Sequence, residues 1–452
     1  MADLSSEELA ERARRVREIV DHWRARGVRF VRFEFADVHG MSRSKLVPIE
    51  AVEGYAERGL NIYGGTIVLD TRSDVLPGTL YNEEIGYGDH LLWPDPDTAL
   101  ELPWAPGTAR FLCDLGWQGG GPIEAAPRRV LARVLEQLRA RGIVLSVGVE
   151  YEFYLLDGAT HEPLFTGWHI FNTQRNTFHP VIGEILESME EAGLELITAN
   201  CEYAGSQWEI NYRPAVGMRA ADRAFTFKAG VKEIAQRHGL VATFMSKPFS
   251  QQAGSGAHTH VSLLGAENAE PLLWDADAPW HLSEVGRHFL GGMLRWASAV
   301  DAFLAPTVNC LRRRRRHTFS PTNVSWGIED RSALVRLKGN SPASLHFENR
   351  APSAMSNPYL AIAAIAASGL LGIEEGIEPP EPAATPAEDH EGLEPLPRTL
   401  EESLRALAAA EPLRKLLGDE LVTAYLQLRR YELGRFADHV SDWERAEYLE
   451  LY

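Results

Sequence analysis

Residues 147–156, VGVEYEFYLL, alternate with a period of two. Val147, Val149, Tyr151, Phe153 and Leu155 share one face, and Gly148, Glu150, Glu152 and Tyr154 share the other. That period predicts a half-buried β-strand. Its apolar face needs a core, which sets two carboxylates side by side on the opposite face. Like charges that close repel, and burying them is costly unless a cation sits beside them. A solvated strand with two surface glutamates fits the same pattern.

Three later stretches repeat the design. In CEYAGSQWEINY (201–212), Gln207, Glu209 and Asn211 oppose Trp208, Ile210 and Tyr212, with Glu202 just before the Gly205 turn. In GSGAHTHVSLL (254–264), His258, His260 and Ser262 oppose Ala257, Thr259, Val261 and Leu263. In SLHFENR (344–350), His346, Glu348 and Arg350 oppose Leu345, Phe347 and Asn349. Each face alone is explained by solvent. Four of them rich in Glu and His point to hard divalent cations held largely by oxygen, such as Mg²⁺ or Mn²⁺, rather than structural zinc. Carboxylates with Mg²⁺ commonly serve phosphates, which arginines help to hold. Arg313, Arg331, Arg336 and Arg350 lie close by in sequence. No GxxxxGK[ST] or GxGxxG occurs, so a phosphate site here would rest on metals and arginines.

The remaining pattern predicts the frame. Ser5 and Glu8 form a capping box for a helix through Val16, Val20 and Trp23 that stops at Gly27. A β-rich stretch at 28–35, a turn at His39-Gly40 and a short helix near 51–58 follow, and 61–74 is loop-like. Residues 93–107 carry four prolines and are expected to be an inter-domain crossing, dividing the chain into 1–107 and 108–452. Pro127 opens a helix over 127–140 whose Val130, Leu131, Val134, Leu135 and Leu138 share a face. Asn357 and Pro358 supply the N-cap and first position of an apolar helix. Six prolines at 378–398 predict an exposed loop, and Thr399 with Glu402 and Ser441 with Glu444 form two more capping boxes.

Composition narrows the partners. The 452 residues suit two domains, and a net charge of −18 argues against nucleic acid or an anionic membrane. Three widely spaced cysteines without a CxxC suit a reducing cytosol. The charged N-terminus is unlike a signal peptide, and the 14-residue apolar run at 360–373 is too short to span a bilayer. A soluble cytoplasmic protein is expected.

With these stretches assembled, the chain resembles the glutamine synthetase family over nearly its whole length. GVEYEFYLL, CEYAGSQWEI, GSGAHTHVSL, NCLRRRR, SWGIEDRSALVR and FENRAPSAMSNPYL occur in that family's order. The resemblance implies an α+β fold, with an N-terminal β-grasp domain and a catalytic domain whose antiparallel sheet forms a funnel flanked by helices. It also implies active sites between subunits of a hexameric ring, usually stacked as a homo-dodecamer. By motif, Glu152, Glu202 and Glu209 match the ligands of one metal, and Glu150, His258 and Glu348 those of a second. His260, Ser262 and Arg336 fall at the ATP site. Gly254, Arg313 and Arg350 fall where glutamate is held, and Arg331 and Arg336 where the transferred phosphoryl group is steadied. The implied reaction makes γ-glutamyl phosphate from glutamate and ATP, and an amine then displaces phosphate.

Two departures shift the expected acceptor. The family's ammonia-using members hold ammonium with an aspartate in the N-terminal domain and a glutamate in a mobile flap. Tyr63 and Phe319 stand at the matching positions here, with Asp70 and Asp74 near enough in sequence to serve instead. Without acids to hold the cation and take its proton, such a pocket better suits an amine with a hydrocarbon or aromatic body. The pattern is therefore similar to the γ-glutamylamide synthetases, with a monoamine favoured. A third departure is His346, where an arginine usually touches phosphate. The alternatives are a glutamine synthetase using ammonia, a metal-dependent amidohydrolase sharing the His-x-His pair, and a non-catalytic relative. No tyrosine lies between Tyr359 and Tyr425, so control by adenylylation of that loop is not expected.

Overall fold

The computed structural model describes residues 6–176 and 180–452, which leaves Ser5 of the first capping box outside. The helix Ser6–Ala25 buries Val16, Val20 and Trp23 as its periodicity requires. It lies in the N-terminal part of the chain with six strands: β1 (Phe30–Ala36), β2 (Ser42–Pro48), β3 (Leu60–Tyr63), β4 (Asp89–Pro94), β5 (Leu100–Glu101) and β6 (Thr108–Trp117). Their order is β2-β1-β6-β4-β3, with β5 also on β6, and only β1 and β6 run parallel. The division expected at Gly107 therefore falls too early. Residues 108–117 hydrogen-bond to β1 and β4, so the chain leaves this sheet only after Trp117. Nor do residues 93–107 cross between domains, because they close β4, form β5 and turn back into β6 of the same sheet, with the prolines at strand ends and turns where missing N–H donors are tolerated.

The second sheet has nine strands and is almost wholly antiparallel. It comprises β7 (Ile143–Asp157), β8 (Leu196–Cys201), β9 (Gln207–Tyr212), β10 (Ala215–Val216), β11 (Leu240–Thr243), β12 (Ala257–Gly265), β13 (Trp326–Ile328), β14 (Val335–Lys338) and β15 (His346–Asn349). The order is β13-β14-β15-β12-β7-β9-β8, with β10 and β11 also on β7. Four of these strands are the alternating stretches found in the sequence, and their apolar faces enter one core.

The helix Pro358–Glu375 runs through that core. Asn357 Oδ1 accepts from the N–H groups of Tyr359 and Leu360, as expected of an N-cap followed by proline. By length and composition this helix could cross a membrane, but 83% of it is buried inside the fold. It crosses the helix Glu284–Arg295 where Gly292 meets Gly372. A Cβ on either glycine would lie 2.6–2.7 Å from the other's backbone, so only glycine allows that approach. The Pro-rich stretch 378–398 is less exposed than expected, since Ala387, Glu388 and Leu396 are buried. Val324 and Leu396 tie it to residues 322–324 by backbone hydrogen bonds.

Polar contacts join the N-terminal sheet to helices of the later part of the chain. Arg32 donates to both oxygens of Glu233 (2.6 and 2.9 Å). Arg128 reaches Asp95, Asp114 and Asp222. Asn357 Nδ2 donates to the carbonyls of Asp37 and Val38 (3.0 and 3.3 Å).

Candidate active site

Strand register assembles the polar faces into one row. Glu209 stands opposite Glu152, Glu150 opposite His258, His260 opposite Glu348, and Glu348 opposite Arg336. Directly opposed residues of antiparallel strands share a face. One surface of the sheet therefore carries acids, histidines and an arginine drawn from five strands, β9, β7, β12, β15 and β14.

At the centre, Glu150, His258 and Glu348 each offer a ligand atom, all within 4.8 Å of one another. His258 Nδ1 is 3.8 Å from both carboxylates. Such spacing fits donors around one ion at roughly 2 Å. Burial opposes ionisation of Glu150, but His258 and His260 outweigh it and hold the carboxyl well below its usual range. Burial likewise opposes Glu348, and Arg350 with His258 and His260 brings it down to about 2. Arg350 pairs with one oxygen of Glu348, and Arg336 Nη1 donates to the other (3.0 Å). Burial and the nearby Arg350 lower His258, which favours the neutral imidazole that a metal requires.

Glu152, Glu202 and Glu209 lie alongside but less tightly gathered. Glu152 accepts from the N–H of Gly256 (2.9 Å), Glu202 from Asn200 (3.1 Å) and Glu209 from Asn211 (2.9 Å). Burial, then Glu152, pushes Glu202 up to about 8. Burial, then Glu150 and Glu152, pushes Glu209 up to about 9. Acids whose protons are held by one another are a group short of positive charge, and a divalent cation supplies it. The donor set, nearly all carboxylate oxygen, fits a hard divalent cation.

Beside the acids, Arg313 is buried and donates to the carbonyls of Arg350 (2.9 Å), Ala351 and Pro352. Burial lowers it to about 10, still cationic at neutral pH. Gly254 lies against it, and a Cβ there would fall 2.7 Å from Arg313 Cγ. The rest of the arginine run divides: Arg314 pairs with buried Asp301, while Arg315 and Arg316 are exposed. Ser262 lies two residues beyond His260 on β12 and donates to the Leu345 carbonyl (3.4 Å). Arg331 is exposed and not drawn into the cluster.

Residues 124–448 match the catalytic domain of glutamine synthetase. The chain belongs to the glutamine synthetase family. It is 32% identical to a glutamate–isopropylamine ligase of a Pseudomonas species, over 99% of this chain and all of that protein. It is 31% identical to the glutamine synthetase of Halobacterium salinarum, over 96% of this chain and 97% of that one. Among solved structures, a GmaS/ADP complex superposes with a TM-score of 0.86 at 31% identity, covering 96% of this chain and 99% of that one. Relatives named for an organic amine and for glutamine thus match this glutamine synthetase homologue equally well.

The two acceptor-pocket residues separate. Phe319 is exposed, and its carbonyl accepts from Arg350 (3.2 Å). Tyr63 donates to Asn82 (2.7 Å) within the N-terminal sheet, so one chain does not join it to Phe319 in a wall. Asp70 is already committed: it is buried, pairs with Arg435, and accepts from the N–H groups of Arg72 and Asp74 (both 2.8 Å). Asp74 pairs with Arg72. Sequence reasoning missed Lys338, whose Nζ is 3.7 Å from Glu348. Its place two residues after Arg336 on β14 was the available signal. It also missed Glu329, which pairs with Arg336 from beyond β13, where no period points to it.

Proposed function

We propose that this chain is an ATP-dependent ligase that joins the γ-carboxylate of glutamate to a primary amine, a γ-glutamylamide synthetase. The observation carrying this reading is the Glu150–His258–Glu348 group, gathered closely enough to hold a metal ion and tied through Arg350 to Phe319, which stands where the family resemblance places a carboxylate. Family membership supports ATP and divalent-metal dependence in general. The name of the isopropylamine relative supports an organic acceptor.

In this scheme Glu152, Glu202 and Glu209 hold one Mg²⁺ or Mn²⁺, and Glu150, His258 and Glu348 hold another. When bound, these ions neutralise charge on the phosphates. His260, Ser262 and Arg336 contact ATP. Arg313 and Arg350, with Gly254, hold the glutamate carboxylates, and Arg336 steadies the γ-phosphoryl group. The glutamate γ-oxygen displaces ADP, forming an acyl phosphate. The amine nitrogen then bonds to the acyl carbon as phosphate leaves with the C–O electron pair, and the amine proton passes to solvent. Preorganised arginines serve such steps by opposing charge where it develops. Tyr63 would close the site of a neighbouring copy in a homo-oligomer, and a hexameric or dodecameric ring is the assembly proposed. A cytoplasmic setting suits three free, buried cysteines.

The test is phosphate release with ATP, Mg²⁺ and glutamate against a panel of primary amines. Turnover with an organic amine and little with ammonium supports the reading. Turnover with ammonium and with no organic amine assigns a glutamine synthetase instead.

A further inference from the structure

Three large aromatic side chains form a file in the open beside the candidate site. Trp168, Tyr203 and Phe319 are 63%, 39% and 47% exposed. Tyr203 stacks on Phe319 with centroids 6.4 Å apart and planes at 28°. Trp168 meets Tyr203 edge-on, also at 6.4 Å and at 77°. Scattered exposed apolar residues are ordinary, but rings gathered in contact and left open to water need an occupant.

The file is fastened to the candidate site at its middle ring and at one end. The N–H of Tyr203 donates to Glu202 Oε2 (3.3 Å), and the Phe319 carbonyl accepts from Arg350, which pairs with Glu348. The third ring is held by backbone: Trp168 bridges to Ala204, and the N–H of His169 donates to the Tyr203 carbonyl (3.0 Å). Phe319 has a φ of +54°, a left-handed conformation that is unfavourable for a residue other than glycine. Core packing does not repay that cost, because the ring faces solvent.

Resting on the ligase reading, we infer that Trp168, Tyr203 and Phe319 form the acceptor wall and select a primary amine bearing an aryl group. The rings offer flat faces and edges to an aromatic body. A bare ammonium ion would leave the file wet and unused. A short alkylamine would cover one ring at most.

The probes are 2-phenylethylamine and ethylamine, with the full chain, glutamate, ATP and Mg²⁺. The expected kcat/KM for 2-phenylethylamine exceeds that for ethylamine by about tenfold or more, the scale of one or two ring contacts. Trp168→Ala reduces that ratio about tenfold, and Trp168→Phe restores most of it. Equal use of the two amines, or an equal loss for both in Trp168→Ala, overturns the inference. So does a change in oligomeric state with the ratio intact, which would assign the rings to a protein interface. If no amine supports phosphate release, the ligase reading fails, and tryptophan emission judges the wall separately. A saturable change with 2-phenylethylamine, absent with ethylamine and lost in Trp168→Ala, sustains it, and no saturable change overturns it.

Discussion

His346 Nε2 lies 3.0 Å from His260 Nδ1, and the other side of each ring fixes who donates. His346 Nδ1 is 2.6 Å from the Ser344 carbonyl and must carry the proton there. His346 Nε2 is then an acceptor, so His260 Nδ1 donates to it. That leaves His260 Nε2 facing Glu150 Oε1 at 3.0 Å, lone pair to carboxylate, unless a proton or a cation stands between them. His346→Ala releases His260, the neighbour of the proposed metal ligand Glu150, and is expected to weaken Mn²⁺ binding by about tenfold, as loss of an outer partner does. A Mn²⁺ titration followed by electron paramagnetic resonance measures it.

Glu348 and Glu152 separate structure from chemistry. Glu348 is buried between Arg336 and Arg350, so Glu348→Ala leaves buried Arg350 without its carboxylate and Arg336 with Glu329 alone. A loss of about 3–5 kcal/mol in urea unfolding is expected. Glu152 is half-buried among other acids, and its removal relieves repulsion. Glu152→Ala is expected to fold normally and to lose phosphate release.

Lys228 predicts a pH dependence. Its Nζ is buried, donates to the carbonyls of Ala354 and Ser356 (2.9 and 3.0 Å), and lies near the rings of Tyr151 and Phe244. Burial, helped by Lys232, lowers it to about 7. The unfolded lysine keeps its proton to about 10.5, so between these values the unfolded chain binds more protons and stability rises with pH. The stability of the protein relative to Lys228→Met is expected to grow by roughly 1 kcal/mol or more from pH 7 to pH 9. Paired urea titrations at the two pH values test this.

Phe319→Glu puts a carboxylate at the end of the aromatic file nearest Arg350. Ammonium should gain on organic amines by at least about tenfold in kcat/KM, the scale of one added charge contact. Unchanged acceptor ratios would remove Phe319 from the acceptor site.

Asp70→Asn tests whether Asp70 serves the acceptor at all. Arg435 loses its charged partner, so a loss of about 1–3 kcal/mol is expected. Acceptor preference should stay as it was. A shift in preference would return Asp70 to the pocket.

Much of the site was legible because a strand's period of two survives translation into three dimensions. Once Glu150, His258 and Glu348 were placed on polar faces, register needed only to bring those faces together, and it did. What periodicity could not reveal lay in contacts between segments without a period. Tyr203 follows Glu202 outside any strand, and Trp168 reaches it from a segment with no regular pattern. The Gly107 division failed for a related reason: prolines mark where donors are missing, and strand ends and turns omit them as readily as a linker. In the arginine run, composition alone could not single out Arg314, whose partner Asp301 sits on a separate helix.

Asn357 spends both ends of one amide. Its oxygen starts the central helix, and its nitrogen grips two carbonyls of the turn after β1, where Gly40 leaves room for it. Aspartate would keep the first task and forfeit the second, and glutamine would overreach both. Chimeras that exchange the first hundred or so residues for those of a relative must therefore import a turn that offers the same pair of acceptors, or the graft will sit askew on its host.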